Sequence, residues 1–339
     1  MTSERRSKLA GIGRWLPGLI ISAIAIWLLV RISNWGEVIQ SVSLMKPIWL
    51  VPVLAVFILS MGLRALAWMV LLQYKATYGR VFLTLNEGYL LNNVFPFRLG
   101  ELGRAFLLSQ ATELSGFFVL STIVIERAYD LIIAASLLLA TLPLVLGVEM
   151  GQTIPFTVFF IVVLGLITMF LLARNRQWIK SKLEDYSLAR PVFKERILPR
   201  IDSILAGLGV LTRWDQFILS FFLMLLSWFF GAVQLYILTI SFGVEVEFWW
   251  IGFVLGVAAL GIALPSAPAG LGVYEVAVVG AFSLVGVPAS QALAIALVSH
   301  FINITVTGFI GMYGIFQDGE SVAGLYQRLK NVRYLGGAG

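Results

Sequence analysis

The sequence predicts an all-α, polytopic integral membrane protein: six full spans plus two opposed re-entrant or broken helical hairpins, arranged as an inverted-topology repeat. Three observations lead there. The 339 residues are 59% hydrophobic and 12% charged with a mean hydropathy of +0.93, against roughly 25% charged and 45–50% apolar in a soluble chain. That little charge cannot coat a water-soluble fold of this size. Apolar runs recur at membrane-spanning length, and two further apolar regions are interrupted by Pro, Gly and charge.

A span needs about 20 residues at 1.5 Å each. Runs of that kind are 17–30, 47–72, 116–146, 154–173, 216–242 and 290–316. The first is short. Arg31 closes it and no small-x-small site follows, so it reads as an uncleaved span and not a secretory signal. The region 85–110 contains Asn92-Asn93-Val94-Phe95-Pro96-Phe97-Arg98-Leu99-Gly100-Glu101, and 248–286 contains Leu264-Pro265-Ser266-Ala267-Pro268-Ala269-Gly270-Leu271-Gly272-Val273-Tyr274-Glu275. Neither reads as one continuous helix. The longest polar stretch, Arg174 to Asp215, is only about 40 residues, too few for most independent domains. A single membrane domain over 1–339 is therefore expected, with 174–215 as a basic cytoplasmic loop.

Charge sets the orientation. The segment before the first span, the connection holding Lys75 and Arg80, the 174–215 loop and the tail after 316 together carry 18 of the 24 Lys and Arg. By the positive-inside rule these lie in the cytoplasm, as do both termini, in a multi-pass protein of the cell membrane. Parity then requires 85–110 to enter and leave on the cytoplasmic face, because a single crossing would put the cation-rich loop outside. By the same count 248–286 enters and leaves on the outer face, as a re-entrant hairpin or two short spans.

The order span, hairpin, span occurs twice, over 47–146 and over 216–316, offset by about 170 residues and opposite in direction. The tips share wording: Pro96-x-x-Leu99-Gly100-Glu101 and Pro268-x-x-Leu271-Gly272 with Glu275 following. Inverted repeats with broken helices at matching places point to a transporter's mid-depth substrate site.

Eight charged residues stand out in the apolar segments: Arg64, Arg98, Glu101, Arg104, Glu126, Arg127, Asp130 and Glu275. Each costs at least about 2.5–3.5 kcal/mol at the centre of a lipid-facing helix, so they must pair, face water or bind something. Glu126 and Asp130 share a helix face with Arg127 beside it. They form either a buried ion-pair network with Glu275 and Arg64 or a set of coupling groups; Arg64 can alternatively snorkel to the interface. Arg98 and Arg104 lie beside a hairpin tip whose backbone N–H groups and helix N-terminus suit an anion. With Glu101, Arg127 and Asn93 they are the candidate substrate-binding residues. Pro96, Gly100, Pro268, Gly270 and Gly272 are the candidate tip residues. For Glu275 a helix-capping role is as good a reading as a functional one. His300 and Asn303 share a face of the last span, where an interhelical hydrogen bond is expected. With no Cys and one His, neither a disulfide framework nor a His- or thiol-based catalytic constellation is expected, and no metal or cofactor.

The runs Asn93-x-x-Pro96-x-Arg98-x-Gly100-Glu101-x-x-Arg104, Glu126-Arg127-x-x-Asp130 and Pro268-x-Gly270-x-Gly272-x-x-Glu275 resemble the membrane region of bacterial lysylphosphatidylglycerol synthases and the wider flippase-like family. The likeness covers roughly residues 15–318. In those synthases the membrane region is associated with moving a lipid across the bilayer while a separate cytoplasmic domain attaches the amino acid. No such domain fits here, so the resemblance implies translocation without synthesis. Relatives that work with glycosyltransferases raise polyprenyl-phosphate-linked sugars as cargo, and a glycosyltransferase as partner. Two departures stand out: Ala269 replaces a frequent first Gly of a Gly-Gly pair, and His300 stands near a frequent Arg, a weaker positive charge if neutral near pH 7.

The expected function is thus movement of an anionic or phosphate-bearing lipid, or a polyprenyl-phosphate-linked glycolipid, between leaflets, with membrane lipids and not nucleic acid as partners. The alternatives are a membrane-embedded transferase using Glu101, Glu126 or Asp130, and a scaffold subunit that docks a glycosyltransferase through 174–215. That loop also reads as an amphipathic segment on anionic lipid, with Trp178 and Phe193 among its cations.

Overall fold

The computed structural model describes residues 18, 20–95, 99–146, 153–187, 193–262 and 267–330. These residues form fourteen α-helices and no strand. The order is α1 (Ile20–Ile32), α2 (Trp35–Leu44), α3 (Leu50–Leu71), α4 (Tyr78–Val94), α5 (Leu99–Ala111), α6 (Gly116–Leu146), α7 (Thr153–Arg174), α8 (Arg176–Ser187), α9 (Leu198–Leu208), α10 (Trp214–Ser241), α11 (Phe248–Ile262), α12 (Val273–Leu284), α13 (Ala289–Gln317) and α14 (Val322–Lys330).

Five stretches are long and apolar enough to cross a bilayer: Pro47–Leu71, Gly116–Val145, Phe156–Arg174, Trp214–Ser241 and Ala289–Gln317. They coincide closely with five of the expected spans. The first expected span differs, because α1 is followed at once by α2 at an angle of 84°. Asn34 makes the corner. Its Oδ1 accepts from the Gly36 N–H at 3.0 Å, which caps α2, and its own N–H donates to Ser290 Oγ at 3.1 Å, which ties the corner to the start of α13. The pair supplies a sixth crossing only if counted as one bent span.

The centre is the pair α3 and α10, packed along their length. Small residues allow the close approach, and the contact is reciprocal: Ser60 Oγ donates to the Ser227 carbonyl at 2.8 Å and Ser227 Oγ to the Ser60 carbonyl at 3.0 Å. Around this pair, α4 packs on α13 and α11 packs on α6, while α5 returns against α4 and α12 against α11. At α4–α13 the backbones nearly touch, since a Cβ on Gly311 would meet the Asn86 carbonyl at 2.5 Å.

Both interrupted regions are helix pairs. The first starts earlier than expected, at Tyr78 and not near 85, because Thr77-Tyr78 follows directly on the turn that ends α3. α4 ends at Val94 and α5 begins at Leu99, and the tip residues Pro96 and Arg98 lie outside the described residues. The second breaks between Ile262 and Val273, with one 3-10 turn at Pro268–Gly270. α7 is almost entirely lipid-facing, as expected of a helix apolar on every side, with Phe156, Phe160, Ile161, Leu164 and Ile167 exposed.

The segment 174–215 is not uniformly a surface loop. α8 keeps its cations and Trp178 exposed, but α9 packs on α6 and buries Leu205 and Leu208, and the turn after it buries Val210 and Leu211. Gly207 faces the Phe118 carbonyl and Ser121 at the contact, and Gln73 Nε2 donates to the Ala206 carbonyl at 2.9 Å. The apolar positions of α9 form one stripe beneath the charge, and that stripe, not net charge, decides its place.

Candidate functional site: a charged cavity between the two hairpins

The charged residues of α3, α5 and α6 converge on one carboxylate. Glu126, eleven residues into α6 and fully buried, accepts from Arg64 at 3.1 Å, Arg104 at 2.8 Å and Arg127 at 2.6 Å. One turn on, Asp130 takes a two-pronged contact from Arg64, at 3.0 and 2.8 Å, and a hydrogen bond from Trp228 Nε1 at 2.9 Å. Arg127 also lies 3.2 Å from Asp130 and 3.8 Å from Glu101. Three guanidinium groups thus face three carboxylates, drawn from helices that are distant in sequence. Removing ions from water is tolerable only with compensation this dense, and planar arginine forks provide it.

The first hairpin is held against this network by close backbone approach. A Cβ at Gly100 would overlap the Gly88 carbonyl, and one at Gly88 would overlap the stem of Arg104. The Gly100 N–H donates to Asn92 Oδ1 at 2.9 Å, closing the ends of α4 and α5 on each other. Arg104 then lies 3.8 Å over the Trp68 ring, 2% exposed.

The second hairpin is built around Glu275. Its Oε2 accepts from the Gly272 N–H at 2.7 Å, which caps α12, and its Oε1 lies 2.5 Å from His300 Nδ1 of α13. His300 Nε2 lies 3.1 Å from the Ala269 carbonyl. The capping role expected of Glu275 is present, and so is the interhelical contact expected of His300. Ala269 sits at φ +62°, in the left-handed region where a side chain is unfavourable and Gly is not, as it is also at Gly270 and Gly272 with φ +77° and +83°.

Between the two hairpins lies a cavity of about 770 Å³. Arg64, Glu101, Arg127 and Asp130 line one wall; Pro268, Ala269, Gly270 and His300 line the other; Asn92, Asn93, Trp228 and Asn303 complete it. Arg127 has 30% of its side chain exposed and Glu101 26%, so these two present the most accessible charge. Arg127 Nε has no hydrogen-bond partner among the described residues.

Of the candidate substrate-binding residues, Glu101, Arg127 and Asn93 line the cavity, Arg98 lies outside the described residues, and Arg104 does not reach it. Arg104 acts from behind, orienting Glu126. Of the coupling or network candidates, Arg64 and Asp130 reach the cavity, whereas Glu126 and Glu275 lie behind Arg127 and His300. Arg64 is committed to Asp130 and Glu126 and does not snorkel to the interface. Of the tip residues, Pro268 and Gly270 line the cavity; Gly100 and Gly272 set the backbone beside it, and Pro96 lies outside the described residues.

One buried charge escaped the sequence reading. Glu87 of α4 is fully buried and accepts from Arg80 at 3.1 Å, while Arg80 grips Asp318 after α13 at 2.6 and 2.7 Å. Arg80 and Glu87 are two turns apart on one face, a signal that appears only once α4 is known to begin at Tyr78.

Such a fold and such a wall of charge define a polytopic membrane protein with a polar chamber between two broken helix pairs. The model of the lysylphosphatidylglycerol synthase transmembrane region matches residues 15–311, and the chain belongs to that family. It is also similar to a UPF0104 membrane protein of Methanocaldococcus jannaschii, 23% identical over 311 residues that span 87% of this chain and 93% of the relative. A UPF0104 membrane protein of Methanothermobacter thermautotrophicus is 27% identical over 311 residues, 86% of this chain and 89% of the relative.

Proposed function

We propose that the protein is a flippase-like translocase that moves an anionic or phosphate-bearing lipid, or a polyprenyl-phosphate-linked glycolipid, between the leaflets of the cell membrane, with no chemical step of its own. The observation that carries this reading is the 770 Å³ cavity, walled by both hairpins and by arginines and carboxylates in a chain otherwise poor in charge. In this reading Arg127 holds the phosphate. It is the guanidinium with the most exposed surface in the network, its Nε makes no hydrogen bond and meets Glu101 only at 3.8 Å, and its planar fork suits phosphate oxygens.

Alternating access is supported by the packing. Helices α3 to α6 correspond to α10 to α13, and their contacts occur in matched pairs: α4 on α13 with α11 on α6, and α4 on α5 with α11 on α12. The two innermost helices meet through the reciprocal Ser60–Ser227 bonds, between residues 167 positions apart, close to the repeat offset. Such reciprocal bonds are consistent with a two-fold relation between the halves, which the inverted-repeat reading requires. The Lys and Arg distribution supports cytoplasmic termini.

The test is reconstitution into phosphatidylcholine liposomes with a trace of fluorescent phosphatidylglycerol, followed by chemical quenching of the outer leaflet. The expected result is protein-dependent redistribution, slowed about tenfold or more by Arg127→Ala, the loss of a charged hydrogen bond of about 1.5–3 kcal/mol. Arg127→Lys, which keeps the charge, controls for folding. Redistribution no faster than in protein-free liposomes, for this lipid and for a polyprenyl-phosphate-linked sugar, would sink the reading.

A further inference from the structure

His300 is the chain's one histidine, and both of its ring nitrogens face acceptors. Nε2 is 3.1 Å from the Ala269 carbonyl oxygen, which can only accept, so Nε2 carries a hydrogen. Nδ1 is 2.5 Å from Glu275 Oε1. A neutral ring with its hydrogen on Nε2 would turn a bare Nδ1 lone pair on an ionised carboxylate at that distance. A neutral ring with its hydrogen on Nδ1 would turn a lone pair on the Ala269 carbonyl. Both contacts become hydrogen bonds only if one further proton lies between Nδ1 and Oε1, either on the ring, as imidazolium and carboxylate, or on Glu275, as a carboxylic acid donating to a neutral ring. The two forms contain the same number of protons.

We propose that Glu275 and His300 together form a proton-binding site in the wall of the cavity, and that the proton held there is the coupling ion for the movement of lipid. The coupling rests on the translocase reading above; the proton site does not. His300 faces the cavity while Glu275 stands behind it, so the proton leaves by way of the ring to water in the cavity. What remains is a neutral imidazole and a carboxylate, whose lone pairs oppose each other or the Ala269 carbonyl. Either the ring turns away or the tip withdraws. The tip is suited to respond: Ala269, Gly270 and Gly272 all have positive φ, with Leu271 extended between them, and one anchor of the turn is the bond from His300 to the Ala269 carbonyl. Binding and release of one proton thereby favour two positions of the second hairpin.

The other polar groups near this pair are hydrogen-bonded elsewhere, paired among themselves or distant. From α12, Tyr274 donates to Ser299 at 3.1 Å and stacks 4.8 Å from the imidazole. The described part of α1 brings Ser22, which accepts from the Ala267 N–H at 2.9 Å, and its charged residue, Arg31, is at the far end and exposed. α11 contributes apolar residues to the cavity, α10 Trp228 and Gln234, and α4 Tyr89, Asn92 and Asn93. Glu87 of α4 faces Gly314, about four turns along α13. Across the cavity Arg64, Glu101, Arg127 and Asp130 are paired among themselves.

Because His300 is the sole histidine, nitrogen-15 labelling of histidine reports this site directly in the full-length protein in lipid nanodiscs. Near pH 7 the expected result is a ring protonated on both nitrogens, or a ring protonated on Nε2 together with an infrared carboxylic-acid band that Glu275→Gln removes. In Glu275→Gln the amide still caps Gly272 and donates to Nδ1, so the ring is expected neutral with its hydrogen on Nε2. A neutral ring with no carboxylic-acid band in the unmodified protein would overturn the proton site. For coupling, a gradient of about one pH unit across the liposomes is expected to skew the leaflet distribution of the fluorescent phosphatidylglycerol by up to about tenfold, one proton per lipid, and Glu275→Gln should return that skew to unity. Redistribution by the unmodified protein that ignores the gradient would overturn coupling while leaving the site. Absence of all redistribution, with the protonated ring present, would instead count against the translocase reading.

Discussion

At the first hairpin, Glu126 is surrounded by three arginines whose charge does not vary with pH, while at the second, Glu275 meets one histidine and a capping N–H. The first arrangement joins α3, α5 and α6 and buries its central carboxylate completely. The second joins the tip, α12 and α13 through a chain of three bonds, one of them to a main-chain carbonyl in a left-handed turn. The two broken helix pairs thus sit beside carboxylates held by different chemistry. A permanent charge network fixes geometry; a histidine and carboxylate pair changes its bonding with one proton. In the proton-site proposal, the first wall anchors and the second responds.

The comparison is broken most severely at Glu126. Glu126→Gln leaves three guanidinium groups, one of them fully buried, facing a neutral amide, and the expected loss is about 3–5 kcal/mol, the usual cost of stripping one partner from a buried ion cluster. Thermal unfolding in detergent reads this, with Glu275→Gln expected to cost far less. Gly100→Ala is expected to come next, at about 1–3 kcal/mol, because its methyl would overlap the Gly88 carbonyl and force α4 and α5 apart. Gly280→Ala on α12, where a Cβ meets nothing within 4 Å, is the matched control and should be neutral or slightly stabilising.

Ala269→Gly sharpens the comparison at the other tip. Its φ of +62° suits Gly, so the change is expected to raise stability by up to about 1 kcal/mol in the same assay, while making the tip easier to move. The smallest effect is expected far from both walls, at Asp202. The Arg176 hydrogen bond holds this carboxyl below its usual range, aided by Lys180. A depressed value in the folded state means the pair stabilises above about pH 4 and loses that contribution as pH falls further. Being half-buried and screened by solvent, the pair is worth about 0–1 kcal/mol, so Asp202→Asn should change unfolding at pH 7 slightly and not at all at strongly acidic pH.

Much of this was legible in the sequence. Five spans agree with the apolar runs to within about three residues, because length and apolarity are imposed by the bilayer and need no tertiary partner. The charged positions were legible for the same reason: Arg64, Glu126, Arg127 and Asp130 are too costly among apolar neighbours to lack a role. Their pairing was not. Arg64 is 62 residues from Glu126 and 66 from Asp130, and nothing local distinguishes it from a snorkelling arginine. Arg104 reads as an anion ligand until Trp68 is found beneath it. The pairing of Glu87 was not legible because its partner Arg80, which also holds Asp318, falls in what the sequence alone marks as a connection. The bend after α1 was equally hidden, since Asn34 caps one helix and bonds another 256 positions away.

By itself, the sequence determined the solvent, the spans, the two breaks and the set of residues too expensive to be incidental, since each follows from local composition measured against a hydrocarbon slab. The tertiary structure decided which of those residues meet. It set Glu126 and Arg104 behind the cavity wall and Arg127 upon it, drew α9 into the core despite its charge, and turned the lone histidine's ring nitrogens toward a carboxylate and a backbone carbonyl. Those outcomes depend on distances across helices, and a distance between helices is fixed by packing and hydrogen bonding, which no stretch of sequence contains on its own.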